Sequence, residues 1–193
     1  YTSILGPCSI EDQATFLTVA KELSPLMKGK DWYLKGSFDK ANRTSIHSNR
    51  GPGLGEGIRI MEMAKRMYSN VKIITDIHEA SQALPLSDVV DVIQIPAFLC
   101  RQTDLLVACA KHFDVINIKK GQWLSAEAME HAVNKIKEVH PACEVWITER
   151  GSQFGHDRLI VDFRGVDVMK KFADKVILDC THSTQIAGDG ITG

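Results

Sequence analysis

Residues Val92–Lys120, VIQIPAFLCRQTDLLVACAKHFDVINIKK, decide the fold class. Two short runs rich in branched aliphatics, Val92–Ile95 and Val115–Ile118, flank a helical pattern over Gln102–Lys111. A strand, a helix and a second strand in that order form the repeating unit of a parallel sheet with helices outside it. The alternation continues in both directions. Further strands are expected over Thr2–Leu5, Trp32–Lys35, Val71–Thr75, Val145–Thr148 and Val176–Leu178, and further helices over Glu11–Leu23, Gly57–Met67, Ala126–Val139 and Gly165–Phe172. Within Ala126–Val139, Met129, Ala132, Val133, Ile136 and Val139 keep the i, i+3, i+4 rhythm, and Ser125 is a natural N-cap.

Seven strands exceed the usual complement of an open doubly wound sheet and fall one short of an eight-stranded barrel. The chain runs on from the seventh strand into a Gly-rich stretch, Ala187–Gly193, with no helical pattern. The expected architecture is therefore α/β, a (β/α)8 TIM barrel forming one domain over residues 1–193. Its eighth strand and flanking helices are expected to lie outside these residues. No linker, low-complexity tract or repeat divides the chain.

Composition narrows the partners. A net charge of −1 argues against nucleic acid, which usually demands a basic face. No apolar run reaches the length of a membrane span, and the N-terminus lacks a basic-then-apolar signal segment. Cys8, Cys100, Cys109, Cys143 and Cys180 are odd in number, widely spaced and free of CxxC pairing, which fits a reducing cytoplasm.

Polar residues crowd the C-terminal end of each expected strand, the rim where barrel enzymes build their active sites. After the first strand come Gly6, Pro7 and Cys8, and after the second Lys35 to Arg43. Asp76, His78 and Glu79 follow the third. The fourth carries Gln94 and leads to Arg101, and the fifth ends in Lys119 and Lys120. Glu149 and Arg150 end the sixth; Asp179, Thr181 and His182 follow the seventh. The long polar segment from Lys35 suits an anionic ligand, Arg as a bidentate fork and Lys as a point charge, or else a solvated basic loop. Lys35, Lys40, Arg43, Arg101, Lys119 and Arg150 on one rim would focus a strong positive field. His78 is open to two readings, a ligand or base, or a rim histidine that orients Asp76.

KGSFDKANRTSIHS (residues 35–48) followed by RGPGL resembles the signature of the 3-deoxy-D-manno-octulosonate 8-phosphate synthases. TDIHE, IQIPAFLCRQTDLL, NIKKGQWL, TERGSQFG and DCTHSTQ are similar to that family's motifs in the same order, so the resemblance covers essentially the whole chain. It implies condensation of phosphoenolpyruvate with D-arabinose 5-phosphate and water, with release of phosphate, a step of lipopolysaccharide (KDO) biosynthesis. By that resemblance Lys35, Ser37, Lys40, Gln94, Lys119 and Arg150 would hold phosphoenolpyruvate. Asn42, Arg43, Thr44 and Arg101 would hold the sugar phosphate, and Lys35, Lys40, Asp76 and Lys119 would carry the chemistry. Related condensing synthases that use another aldehyde, such as erythrose 4-phosphate, share the barrel but not KANR followed by SIHS.

The resemblance also implies a divalent metal and a homotetramer. Family members divide at the residue after Gly-Pro, asparagine in metal-independent forms and cysteine in metal-dependent ones, and this chain has Gly6-Pro7-Cys8. Cys8 and His182 are the implied ligands for zinc, iron(II) or manganese, with cadmium or cobalt able to substitute. Three positions depart from the family's usual residues. Thr44 replaces serine, Gly36 stands where alanine or serine is common, and Trp123 replaces phenylalanine. Cys180 is expected to pack rather than ligate, and Cys100, Cys109 and Cys143 to be inert core thiols.

Overall fold

The computed structural model describes residues 1–43, 45–153 and 158–184. It contains seven strands, all parallel in the pairings resolved: β1 (Ser3–Ser9), β2 (Trp32–Ser37), β3 (Ile73–Asp76), β4 (Val92–Ile95), β5 (Val115–Lys119), β6 (Glu144–Glu149) and β7 (Lys175–Leu178). They follow one another across the sheet in chain order, the strand order of a (β/α)8 barrel and not the reversing order of a doubly wound sheet. The helices between them are α1 (Gln13–Leu26), α2 (Leu54–Met67), α3 (Ala83–Ser87), α4 (Thr103–His112), α5 (Glu130–Val139) and α6 (Arg164–Met169). The fold is thus the expected α/β type, six strand–helix repeats followed by a seventh strand among the described residues. The expected Gly-rich stretch lies outside the described residues.

By contact density the chain forms two compact units. The first comprises Tyr1–Asp76 and Leu84–Val92, and the second takes Ile77–Ala83 and the chain from Ile93 on.

In the first unit, β2 and β3 are largely buried on both faces, as parallel strands covered by helices must be. The helix α1 starts where Asp12 accepts hydrogen bonds from the Thr15 backbone N–H (2.8 Å) and hydroxyl (2.9 Å). It runs three residues past the expected Leu23, with Pro25 in its last turn. The strand β1 also runs further than expected, through Gly6-Pro7-Cys8, by means of a bulge between Leu5 and Cys8. Gly6 makes this possible: a Cβ there would lie 2.0 Å from the Lys35 carbonyl oxygen. Gly36 has a matching explanation, since a Cβ on it would come within 2.5 Å of the Phe16 ring. Here the buried Phe16 takes the space that a larger residue at position 36 would need.

All four residues of β4 are buried, and in the second unit so are the last four of β5 and the last five of β6. Helix α5 turns Ala132, Val133 and Ile136 inward, and the Ser125 hydroxyl accepts from the Ala128 N–H at 3.2 Å, the N-terminal cap expected from the sequence. The first turn, Glu127–Met129, is 3-10, so the expected single helix is two joined segments. The short α3, which leads from β3 toward β4, was not expected: five residues with Pro85 inside them carry no helical periodicity.

Candidate active site

In the first unit the ends of β1, β2 and β3 bring four side chains together. Cys8, at the bulge, takes a left-handed backbone conformation (φ 65°), which a non-glycine residue adopts only at some cost. Its Sγ lies 3.2 Å from Lys40 Nζ and 3.9 Å from Lys35 Nζ. Both ammonium groups are 3.5 Å from Oδ2 of Asp76, which is 7% exposed. Lys35 and Asp76 share one sheet face, because Lys35 is in register with Ile74 and Asp76 follows two residues on. Two cations face one carboxylate and one thiol, a setting that attracts an anion.

The segment after β2 folds back on itself. Arg50 grips Asp39 with two bonds (2.8 and 2.6 Å), and the Lys40 N–H donates to the Arg50 carbonyl at 2.7 Å. Ser37 is fully buried and donates to the Asp39 carbonyl at 2.6 Å, shaping the turn that presents Lys40. Asn42 is exposed, and Arg43 is half-buried with its Nε on the Asn49 carbonyl at 3.2 Å. Thr44 lies outside the described residues.

In the second unit the ends of β5, β6 and β7 form another charged cluster. Lys119 pairs with Asp179, whose Oδ2 also meets His182 Nδ1 at 2.7 Å and whose Oδ1 accepts the His182 backbone N–H at 3.0 Å. Burial pushes the Asp179 carboxyl up, but the bond from His182 and the Lys119 ammonium more than offset this and hold it well below the usual carboxylate range. Lys120 and Glu149, each 3% exposed, pair at 3.5 Å; Lys120 also donates to Ser152 Oγ (3.1 Å), and Glu149 accepts the Gly151 N–H (2.6 Å). Arg150 is half-buried and makes no hydrogen bond or ion pair with the described residues. Burial lowers its pKa, partly opposed by the carboxylates of Asp179 and Glu149. A desolvated guanidinium that makes no hydrogen bond or ion pair with the described residues is suited to receive an anion. Arg101, by contrast, is exposed after β4.

The expected site residues therefore fall into two groups. Lys35, Lys40 and Asp76 meet around Cys8, and Lys119 meets His182 through Asp179. In the sequence Asp179 is one of several polar residues at the rim; the structure makes it the hub of its cluster. Asn117 and Thr148 are not among the expected site residues, although a polar residue inside VINIK and another inside VWIT are themselves signals. Cys180 is a correction: it is exposed, its Sγ 3.8 Å from the Leu178 carbonyl, and does not pack. Among the described residues no group of three or more His, Cys, Asp and Glu side chains converges as a preformed metal cage.

The cysteines divide by reactivity. Cys100, Cys109 and Cys143 are buried, and desolvation raises all three thiol pKa values, Cys109 to about 12 and Cys143 to about 11. At pH 8 a thiol reagent is expected to modify Cys8 and Cys180 in the folded protein and the other three only after denaturation. Rapid labelling of all five without unfolding would contradict the core described here.

Parallel strands in chain order, each followed by charged or polar residues at its C-terminal end, define a (β/α)-barrel type of enzyme. The chain belongs to the DAHP synthetase I family, whose profile matches residues 1–190. It is 48% identical to a protein of Campylobacter jejuni subsp. doylei, over 96% of this chain and 73% of the relative. A Wolinella succinogenes relative is 46% identical over 96% of this chain and 74% of its own length. A third, from Koribacter versatilis, is 48% identical over 98% and 68%. All three bear the name 2-dehydro-3-deoxyphosphooctonate aldolase.

Proposed function

We propose that this chain is a transferase that condenses phosphoenolpyruvate with D-arabinose 5-phosphate and water, giving 3-deoxy-D-manno-octulosonate 8-phosphate and phosphate, in KDO biosynthesis. The assignment rests above all on identity of 46–48% across nearly the whole chain with relatives named for that product. In the reaction C3 of phosphoenolpyruvate attacks the sugar aldehyde, water adds at C2, and the C2–O bond to phosphate breaks. Charge moves onto the former aldehyde oxygen and the departing phosphate, and preorganised cations stabilise both.

In this scheme phosphoenolpyruvate is bound by Lys35, Lys40, Gln94, Lys119 and Arg150, with Ser37 shaping the turn that carries Lys40. Asn42, Arg43, Thr44 and Arg101 take the sugar phosphate. Asp76 holds Lys35 and Lys40 in place and is a candidate for proton transfer at the aldehyde oxygen. The test is phosphate release with phosphoenolpyruvate and each of two aldehydes. Release is expected with arabinose 5-phosphate and at most a small fraction of that rate with erythrose 4-phosphate. The reverse preference would overturn the substrate assignment.

A divalent metal, zinc, iron(II) or manganese, belongs to the same proposal, with Cys8 and His182 among its ligands. The donor chemistry suits it: a thiol in an electropositive setting, and an imidazole whose Nδ1 engages a carboxylate, as in metal-binding histidines generally. The bound ion would act as a Lewis acid toward a substrate oxygen. Chelator treatment is expected to abolish activity and added metal to restore it, but not in Cys8→Ala; full activity after stripping would remove the metal from the scheme. Five cysteines without a disulfide support a reducing cytoplasm, and a homotetramer is the assembly we expect by sedimentation.

A further inference from the structure

A buried chain of three side chains crosses β4, β5 and β6. The Thr148 hydroxyl donates to Asn117 Oδ1 at 2.8 Å, and Asn117 Nδ2 donates to Gln94 Oε1 at 2.8 Å. Asn117 is fully buried, and Gln94 and Thr148 are each 3% exposed. Strand register pairs Gln94 with Asn117 and Lys119 with Thr148. All four side chains therefore lie on one face of the sheet, since paired residues and those two apart along a strand share a face.

The chain has a direction. Thr148 has one proton to give and spends it on the Asn117 oxygen, which turns the Asn117 amide group toward Gln94. The Gln94 oxygen is thereby committed to Asn117, and its amide N–H groups point the other way. An anion is welcome at amide N–H groups and repelled by an amide oxygen. We infer that Asn117 and Thr148 are positioning residues that fix the polarity of Gln94, so that it donates to an anionic group of phosphoenolpyruvate. Neither touches the substrate; both act through Gln94. Three buried polar side chains in apolar strands are costly unless fully paired, and here each satisfies its neighbour.

This inference rests on the proposed substrate, so its test separates the two. Phosphoenolpyruvate binding is measured by calorimetry on the folded wild-type protein and its variants. Asn117→Asp presents only acceptors to Thr148 and Gln94, and so forces the Gln94 amide to turn its oxygen outward. It is expected to weaken phosphoenolpyruvate binding by about 10- to 100-fold, while the KM for arabinose 5-phosphate changes less than about 2-fold. In a Gln94→Ala background the same change is expected to add nothing, as coupled neighbours require. Thr148→Val and Thr148→Ser provide a second series that preserves shape, with weakened binding in the first and recovery in the second. No phosphoenolpyruvate binding by the wild type would overturn the substrate assignment and the inference together. Wild-type binding left unchanged by both Asn117→Asp and Thr148→Val would overturn the inference alone. Equal losses for both substrates, or full loss persisting in the Gln94→Ala background, would show a merely structural role and overturn it as well.

Discussion

Arg150→Ala is expected to raise the KM for phosphoenolpyruvate by about 30- to 1000-fold, corresponding to about 2–4 kcal/mol, while leaving the folded protein nearly as stable as wild type. The two halves of that result have one cause. The guanidinium is desolvated and makes no hydrogen bond or ion pair with the described residues, only longer-range attraction from Asp179 and Glu149, so its removal is expected to cost the fold less than it costs an anionic substrate. Arg150→Lys is expected to recover only part of the affinity, because an ammonium cannot reproduce the planar fork. Steady-state kinetics with phosphoenolpyruvate varied at saturating sugar phosphate, beside thermal unfolding, reads both quantities. An unchanged KM would remove Arg150 from the site.

Asp179→Asn is expected to act differently, lowering both stability and turnover. Its carboxylate faces the Lys119 ammonium, only 7% exposed, and the His182 ring at once. Removing the charge takes the paired carboxylate from a buried ammonium, a loss of about 3 kcal/mol by analogy with other broken buried pairs. The lysine and the imidazole also lose the group that aims them, with a further expected fall of about 10- to 100-fold in kcat/KM. A double variant, Lys119→Met with Asp179→Leu, separates the effects: removing both charges is expected to restore most of the stability and none of the activity. An Asp179→Asn protein with wild-type melting temperature and kinetics would refute the role of Asp179 as hub of the cluster.

The strands were legible because burial on both faces leaves a continuous branched-aliphatic run, as in Val92–Ile95 and Val115–Ile118. The helices were legible from spacing, α5 most clearly. What escaped notice depended on three-dimensional neighbours. Gly6-Pro7 reads as a strand breaker, yet β1 continues through it, because a bulge and the bare glycine backbone fit against Lys35. Helix α3 is too short to show a period. The charged residues at the strand ends were visible, but their pairing was not. Lys119 and Lys120 are neighbours in sequence, yet alternation along the strand sends them to different partners, Asp179 and Glu149. A sequence counts charges; only the fold shows that Lys120 sits in a buried pair with Glu149 while Arg150 makes no ion pair with the described residues.

The most direct measurement is the mass of the product formed from phosphoenolpyruvate in an equimolar mixture of arabinose 5-phosphate and erythrose 4-phosphate. Mass spectrometry is expected to find the eight-carbon 3-deoxy sugar acid phosphate, formed with one equivalent of inorganic phosphate. A seven-carbon product as the main species, or consumption of phosphoenolpyruvate without any sugar acid, would contradict the account.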